Sequence, residues 1–433
     1  MTDHFVAALM IPALLVLVFL GFPVSLALIV VSFAFAVPVF QELAGLQLYN
    51  FIDQVASTYV LAAVPLFVFM GATLERSGIA ERVFAAMRLW LEDLPGGLAL
   101  ATIAMSAVFA AGTGVVGAVE VMIGMMAIPA MKKAGYPNDL VAGTICAGGS
   151  LGTIIPPSVV VVIYASYANL SVGDLFAGIL VPGLLMILFF MIYIAIGGWR
   201  HRDALHANRP GKTPLGVKLK VTVLAMLPAV LLIGTVLGSI FSGLAAVTEA
   251  AALGCVGALL LALVYGRLNL NLVLEALKAT SGLTAMILFV VVGGTMFASV
   301  FIVHQGGVLV RDLIAATGLG EAGTIIVLLA IVFVLGAILD WVSVLTICLP
   351  IFIPILRETS IDPVWFAVLI IVVVQTSYLT PPMAPSIFYL RAIAPKDMTF
   401  RQMYRGVVPF VLAQLAVLAV ILIFPELVTS VAR

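Results

Sequence analysis

Gly148-Gly149-Ser150-Leu151-Gly152-Thr153-Ile154-Ile155-Pro156-Pro157-Ser158 and Gln375-Thr376-Ser377-Tyr378-Leu379-Thr380-Pro381-Pro382-Met383-Ala384-Pro385-Ser386 decide the fold of this chain. Each places a proline pair inside an apolar run. Proline removes a backbone donor and breaks a helix. Within a bilayer such a break is tolerated only where protein buries it or it lines a cavity. The two pairs are 225 residues apart, as are Pro129 and Pro354, Ile128 and Ile353, and Lys132 and Arg357. An N-cap pattern also recurs downstream, from Ser171 to Asp174 and from Thr399 to Gln402. Two broken helices in matching halves point to a transporter with its binding site near the membrane midplane.

Composition sets the broad class. Of 433 residues, 64% are hydrophobic and 9% charged; a soluble domain carries about 25% charged residues. The long, unalternating apolar runs predict an all-α polytopic membrane protein and exclude a barrel. The zero formal net charge offers nothing to nucleic acid. Cys146, Cys255 and Cys348 lie in apolar runs without a Cys-x-x-Cys pair, and read as buried small hydrophobes. The N-terminus lacks a basic leader region and reads as a retained first span.

Working outward from the breaks, spans are expected at Phe5–Leu20, Val24–Phe40 and Val60–Leu74, with an interfacial segment at Leu48–Ala56 and a charged cytoplasmic stretch up to Asp93. Gly97–Met131 is interrupted at Ala111-Gly112-Thr113-Gly114. Each half is too short to cross, so a re-entrant hairpin is expected. Leu140–Leu170 is the first broken helix and Leu175–Trp199 a full span. A basic cytoplasmic linker follows over residues 201–220. The second half repeats the plan: spans at Val221–Leu237, Leu244–Tyr265 and Ala285–Val303, a hairpin at Ala322–Leu356 interrupted between Gly336 and Trp341, the second broken helix at Val364–Leu390, and a last span at Val407–Phe424. This gives about ten spans, with residues 1–200 and 221–433 as the two repeats. Placing the basic linker inside puts five crossings before it, so the repeats are inverted, with the first hairpin opening inside and the second outside.

The breaks free backbone carbonyls, and their hydroxyls add neutral oxygens suited to a hard cation such as sodium. Around the first break these are Gly149, Ser150, Gly152, Thr153 and Ile155, expected to face Gly112 and Thr113. Around the second they are Thr376, Ser377 and Thr380, expected to face Asp340 and Ser343. Half-helix N-termini suit an anionic substrate, with Thr113, Ser158, Asp340 and Ser386 as its candidate contacts. Helix-to-helix hydrogen bonding is the competing role of such hydroxyls. Three acids lie deep in apolar sequence: Glu120, Glu249 and Asp340. Asp340 is the candidate ion ligand, Glu249 a functional carboxylate or an N-terminal cap, and Glu120 a group that bonds the first break or is solvated at a cavity, with no partner that the sequence names. The four histidines read as structural or solvated. No phosphate-binding loop, His-Glu-x-x-His or Gly-x-Ser-x-Gly occurs, so an enzyme is not expected and no organic cofactor is called for.

Several stretches resemble one transporter family. They are Ile128-Pro129-Ala130-Met131-Lys132-Lys133-Ala134-Gly135-Tyr136, Gly152-Thr153-Ile154-Ile155-Pro156-Pro157-Ser158, Ser171-Val172-Gly173-Asp174-Leu175-Phe176-Ala177-Gly178 with Pro182-Gly183, Thr248-Glu249-Ala250-Ala251, and Leu379-Thr380-Pro381-Pro382. Together they are similar to the large membrane subunit of tripartite ATP-independent periplasmic (TRAP) transporters. Gly114-Val115-Val116-Gly117-Ala118 and the second break look most like the branch named for mannitol or chloroaromatic compounds. The resemblance implies an elevator-type importer of the bacterial inner membrane, driven by sodium ions. It also implies a small four-helix membrane subunit, a soluble periplasmic substrate-binding protein, and a small carboxylate-type substrate. An autonomous carrier or channel is the alternative.

Overall fold

The computed structural model describes residues 2–91, 94, 96–114, 116–200 and 214–432. All of its regular secondary structure among these residues is helical. The helices are α1 (Thr2–Phe19), α2 (Val24–Phe40), α3 (Ala44–Ala56), α4 (Ala63–Arg76), α5 (Ile79–Leu91), α6 (Gly97–Thr113), α7 (Val116–Lys133), α8 (Asn138–Ser150), α9 (Val159–Ala168) and α10 (Val172–Arg200). The second half holds α11 (Leu215–Phe241), α12 (Val247–Val264), α13 (Leu270–Val303), α14 (Gly306–Thr317), α15 (Gly320–Gly336), α16 (Trp341–Leu356), α17 (Pro363–Leu379), α18 (Pro385–Ile393), α19 (Phe400–Ile423) and α20 (Glu426–Thr429). Among the described residues, seven helical runs are long and apolar enough to cross a membrane, α10, α11, α12, α13 and α19 among them.

Both expected hairpins form. In the first, α6 and α7 meet at Gly114, and their feet are joined where the Leu98 amide donates to the Tyr136 hydroxyl at 3.2 Å. In the second, α15 and α16 meet at residues 337–340. Their feet are joined where the Ser360 amide and hydroxyl donate to Glu321 at 2.7 and 2.9 Å. The feet also fix the direction of the broken helices. At the foot of the first hairpin, Lys132 pairs with Asp397 and Asn138 donates to the Asp397 carbonyl at 3.2 Å. There α8 begins, close to where α18 ends. At the foot of the second, Arg357, Thr359 and Pro363 share a cavity of about 320 Å³ with Tyr164, Ala168 and Leu170, so α17 begins where α9 ends. The two broken helices therefore run antiparallel, with one hairpin at each end, as an inverted repeat requires.

The half-helices α8 and α17 form the centre. Every residue from Val141 to Ser150 and from Trp365 to Leu379 is buried. Segment α8 is too small-sided to fill space itself, and its glycines admit neighbours at backbone range: Gly143 meets Gly406 and Phe410, and Gly149 meets Glu120. The outer faces of α10, α11, α12 and α19 expose Leu184, Leu224, Leu260 and Leu412 and suit lipid.

Four sequence expectations change. The linker's residues 201–213 lie outside the described residues, and from Leu215 the chain is already α11, so Lys218 and Lys220 are helical. The charged stretch before Asp93 is an amphipathic helix, α5, burying Ile79, Val83 and Phe84. Segment α13 starts at Leu270, capped by Asn269 accepting from the Leu272 amide at 2.8 Å. Segment α14, opened by Gln305 in the left-handed region, was not expected at all.

Candidate functional site

The first break begins where α8 gives way to a single tight turn at Leu151–Thr153. The ladder ends with the Ile155 amide donating to the Leu151 carbonyl at 2.9 Å, and resumes with Val162 donating to Ser158 at 3.3 Å. Between them lies the cis Pro156–Pro157 bond. Thr153 Oγ1 donates to the Ser150 carbonyl at 2.8 Å, and Ser158 Oγ donates across the break to the Thr153 carbonyl at 2.7 Å. A hydroxyl that spends its proton on a carbonyl keeps its lone pairs. Thr153 and Ser158 thus stay available as oxygen ligands while bracing the turn.

The tip of the first hairpin closes on this break. A Cβ built on Gly114 would sit 2.8 Å from the Pro157 carbonyl oxygen, and the residue is left-handed at φ +61. Only glycine meets both demands. Gly114 is the tip residue that reaches the break, and it was absent from the expected ligands; its signal was the αL position that ends a helix. Gly112 and Thr113 turn the other way. Gly112 packs on Leu74, and Gly71 of α4 lies against Thr113, whose hydroxyl donates to Phe109 at 3.0 Å.

Ser150 does not face the tip. Its hydroxyl donates to the Ala147 carbonyl at 2.8 Å and receives amide protons from Gln375 Nε2 at 3.1 Å and Gln414 Nε2 at 3.3 Å. Both lone pairs are used, which leaves that oxygen none for a cation. Ser150 and Gln375 are separated by the same 225 residues as the proline pairs. Equivalent positions of two repeats touch only near the axis relating them, so this contact marks the pseudo-two-fold axis.

At the second break, Thr376 Oγ1 donates to Val372 at 2.7 Å and Thr380 Oγ1 to the Thr376 carbonyl at 2.8 Å. The second tip closes through Gly336, which packs on Ser377, and Ala337, whose carbonyl accepts from the Met383 amide at 3.2 Å. Asp340 is spent differently. It caps α16, Oδ2 accepting from the Val342 and Ser343 amides at 3.0 and 3.2 Å and Oδ1 from the Ser343 hydroxyl at 2.5 Å. So Asp340 and Ser343 are brought together, while the second break is met by Gly336, in packing contact with Ser377, and by Ala337, whose carbonyl takes the Met383 amide.

The remaining acids gain partners. Glu249 caps α12, accepting from the Ala246 amide at 2.8 Å, and neighbouring Thr248 donates to the Tyr59 hydroxyl at 2.8 Å. Glu120 is fully buried, and its Oε1 accepts from Ser386 Oγ at 2.7 Å. Ser386 is thereby engaged with a carboxylate rather than open. The three cysteines are buried and free, as expected.

Both breaks therefore present carbonyl and hydroxyl oxygens beneath a closing tip, with the Asp340 carboxylate at the second tip. Such a set suits a hard monovalent cation.

Comparison with known proteins matches residues 11–427 to the family described as tripartite ATP-independent periplasmic transporter, DctM component. Relatives include the C4-dicarboxylate TRAP transporter large permease protein DctM of Pseudomonas aeruginosa, 30% identical over 85% of this chain and 84% of that protein. The sialic acid large permease SiaM of Vibrio cholerae is 30% identical over 95% and 94%. The ectoine/5-hydroxyectoine large permease UehC of Ruegeria pomeroyi is 30% identical over 97% of each chain. Their named substrates differ, so likeness at this level selects none. The Alcanivorax borkumensis YdaH transporter shares the fold with a TM-score of 0.58 at 17% identity, covering 89% of this chain and 90% of that one. On the breadth of these matches, this chain belongs to the DctM family, the large permease subunits of TRAP transporters.

Proposed function

We propose that this chain is the sodium-coupled subunit of a secondary importer, carrying a small organic acid across the bacterial inner membrane by an elevator movement. The carrying observation is that each hairpin tip closes on the proline break of its own half, through Gly114 on Pro157 and Ala337 on Met383. Sodium ions would be held by neutral oxygens there: Thr153 and the carbonyls of Gly152 and Ile155 in one half, Thr376 and Thr380 in the other. Asp340 would supply the charge. The hairpins and broken helices would travel together against the other spans. The three relatives are permeases of tripartite systems, which supports a small membrane subunit and a periplasmic binding protein as partners here.

Sodium binding is tested without knowing the substrate. A ligand that binds only the folded state raises the unfolding midpoint with its concentration. The full chain, purified with its membrane partner, should be stabilised by sodium over potassium at constant ionic strength. Equal midpoints in the two salts would reject sodium coupling. Uptake of a panel of labelled organic acids into liposomes should then require the binding protein. Equal uptake without it would favour an autonomous carrier.

A further inference from the structure

We propose that Glu120 is a positioning residue that clasps the first hairpin to the second break, so that the two ion clusters report on each other. The proposal rests on the ion-coupled reading above. Gly117, Glu120 and Gly124 are spaced by three and four residues and share one face of α7. That face lies on α18, the half-helix that follows the second break. Gly117 takes the Tyr389 ring, a Cβ there falling 2.9 Å from it, and Gly124 takes Ile393. Between them Glu120 accepts the Ser386 hydroxyl proton.

On its other side Glu120 meets α8. A Cβ on Gly149 would lie 2.7 Å from Glu120 Cβ. One buried side chain thus touches the hairpin of the first repeat, the first half-helix of the first break and the first turn of the half-helix beyond the second. No cation pairs with Glu120 among the described residues, and its Oε2 has no hydrogen-bond partner there. A carboxyl group is retained in an apolar junction at a cost. What it does in return is hold Ser386, and through Ser386 the end of the segment that carries Thr380 and the proline pair. The hydrogen bond, rather than the charge, performs this, so an amide oxygen suffices.

The test is a four-protein cycle: wild type, Glu120→Ala, Ser386→Ala and the double variant, with Glu120→Gln as the conservative control. The readout is the sodium concentration giving half-maximal stabilisation, titrated against potassium. Losing the clasp should raise it about five- to tenfold in either single variant, the worth of one hydrogen bond. The double variant should go no further, because the two side chains act as a unit. Glu120→Gln should stay within about twofold of wild type by the same accounting. Additive single effects, an unshifted sodium curve in Glu120→Ala, or Gln behaving like Ala would overturn the clasp. If wild type ignores sodium, the ion-coupled reading fails instead. The unfolding midpoints of the same four proteins in potassium then test the clasp: non-additive losses support it and additive ones overturn it.

Discussion

Replacing Asp340 separates two roles that its geometry allows. As a cap it accepts three hydrogen bonds, from the Val342 and Ser343 amides and the Ser343 hydroxyl. Asparagine is as good an N-cap as aspartate, whereas alanine at such a position costs about 1–2 kcal/mol. Asp340→Asn should therefore leave the unfolding midpoint in potassium nearly unchanged, and Asp340→Ala should lower it. As a counter-charge, a carboxylate 4 Å from a cation contributes about 4 kcal/mol at an effective dielectric near 20. Removing it should raise the half-saturating sodium concentration by about a thousandfold. The assay is the sodium titration of thermal stability, followed by initial uptake rate against sodium in liposomes at equal protein. If Asp340→Asn superposes on wild type in both, while Asp340→Ala only melts earlier, Asp340 is a helix cap alone. The ion-binding role then falls to the neutral oxygens at the breaks.

The hairpins make a topological prediction: cysteines at Leu94 and Lys133 should react with an impermeant reagent from the cytoplasmic side only, and cysteines at Leu319 and Glu358 from the outer side only. Labelling the two feet of one hairpin from opposite sides would make it an ordinary span. Gly71→Val should overpack α4 against Thr113, where even a Cβ would fall 2.6 Å from the Thr113 Cα, destabilising the fold by about 1–3 kcal/mol; an unchanged unfolding midpoint would refute that packing. The Lys132 ammonium holds the Asp397 carboxyl below its usual range. A depressed carboxyl stabilises the fold above its unfolded pKa and loses that contribution as pH falls through the folded value. The difference in unfolding midpoint between wild type and Asp397→Asn should thus be flat from pH 6 to 8 and vanish only in acid, below about pH 4; a difference that grows on acidification would contradict the pairing.

The architecture was legible because local chemistry carries it. A proline pair cannot stay helical, so both breaks stand in the sequence, and Gly112-Thr113-Gly114 and Gly336-Ala337 punctuate runs too short to cross twice. What was illegible is set by partners far along the chain. Ser150 has the residue type of an ion ligand, but Gln375 and Gln414, 225 and 264 residues away, occupy its lone pairs. Glu120 could be given no partner because Ser386 lies 266 residues on. Asp340 read as a ligand from its place at a tip. Its cap on α16 needs only residues two and three positions ahead, and could have been weighed from Asp340-Trp341-Val342-Ser343 alone, as it was for Glu249. Segment α5 was hidden by its own charges, one of which, the Arg82 guanidinium, lies over the Tyr265 ring of a distant helix end.

The burial of α8 has a consequence for how the protein is made. Asn138–Ser150 is a glycine-rich half-helix whose backbone rests on Gly406 and whose Ser150 is held by Gln414. It leaves the ribosome 264 residues ahead of that partner. At about 5–20 residues per second, the wait is on the order of tens of seconds. During it, a segment that ends in unwound backbone has neither lipid it can tolerate nor the helix that will cover it. It must be kept beside the insertion machinery, or parked at the membrane surface, until α19 is threaded. Truncations that stop before Phe400 should therefore be cleared by membrane proteases, even though every span of the first half is already complete.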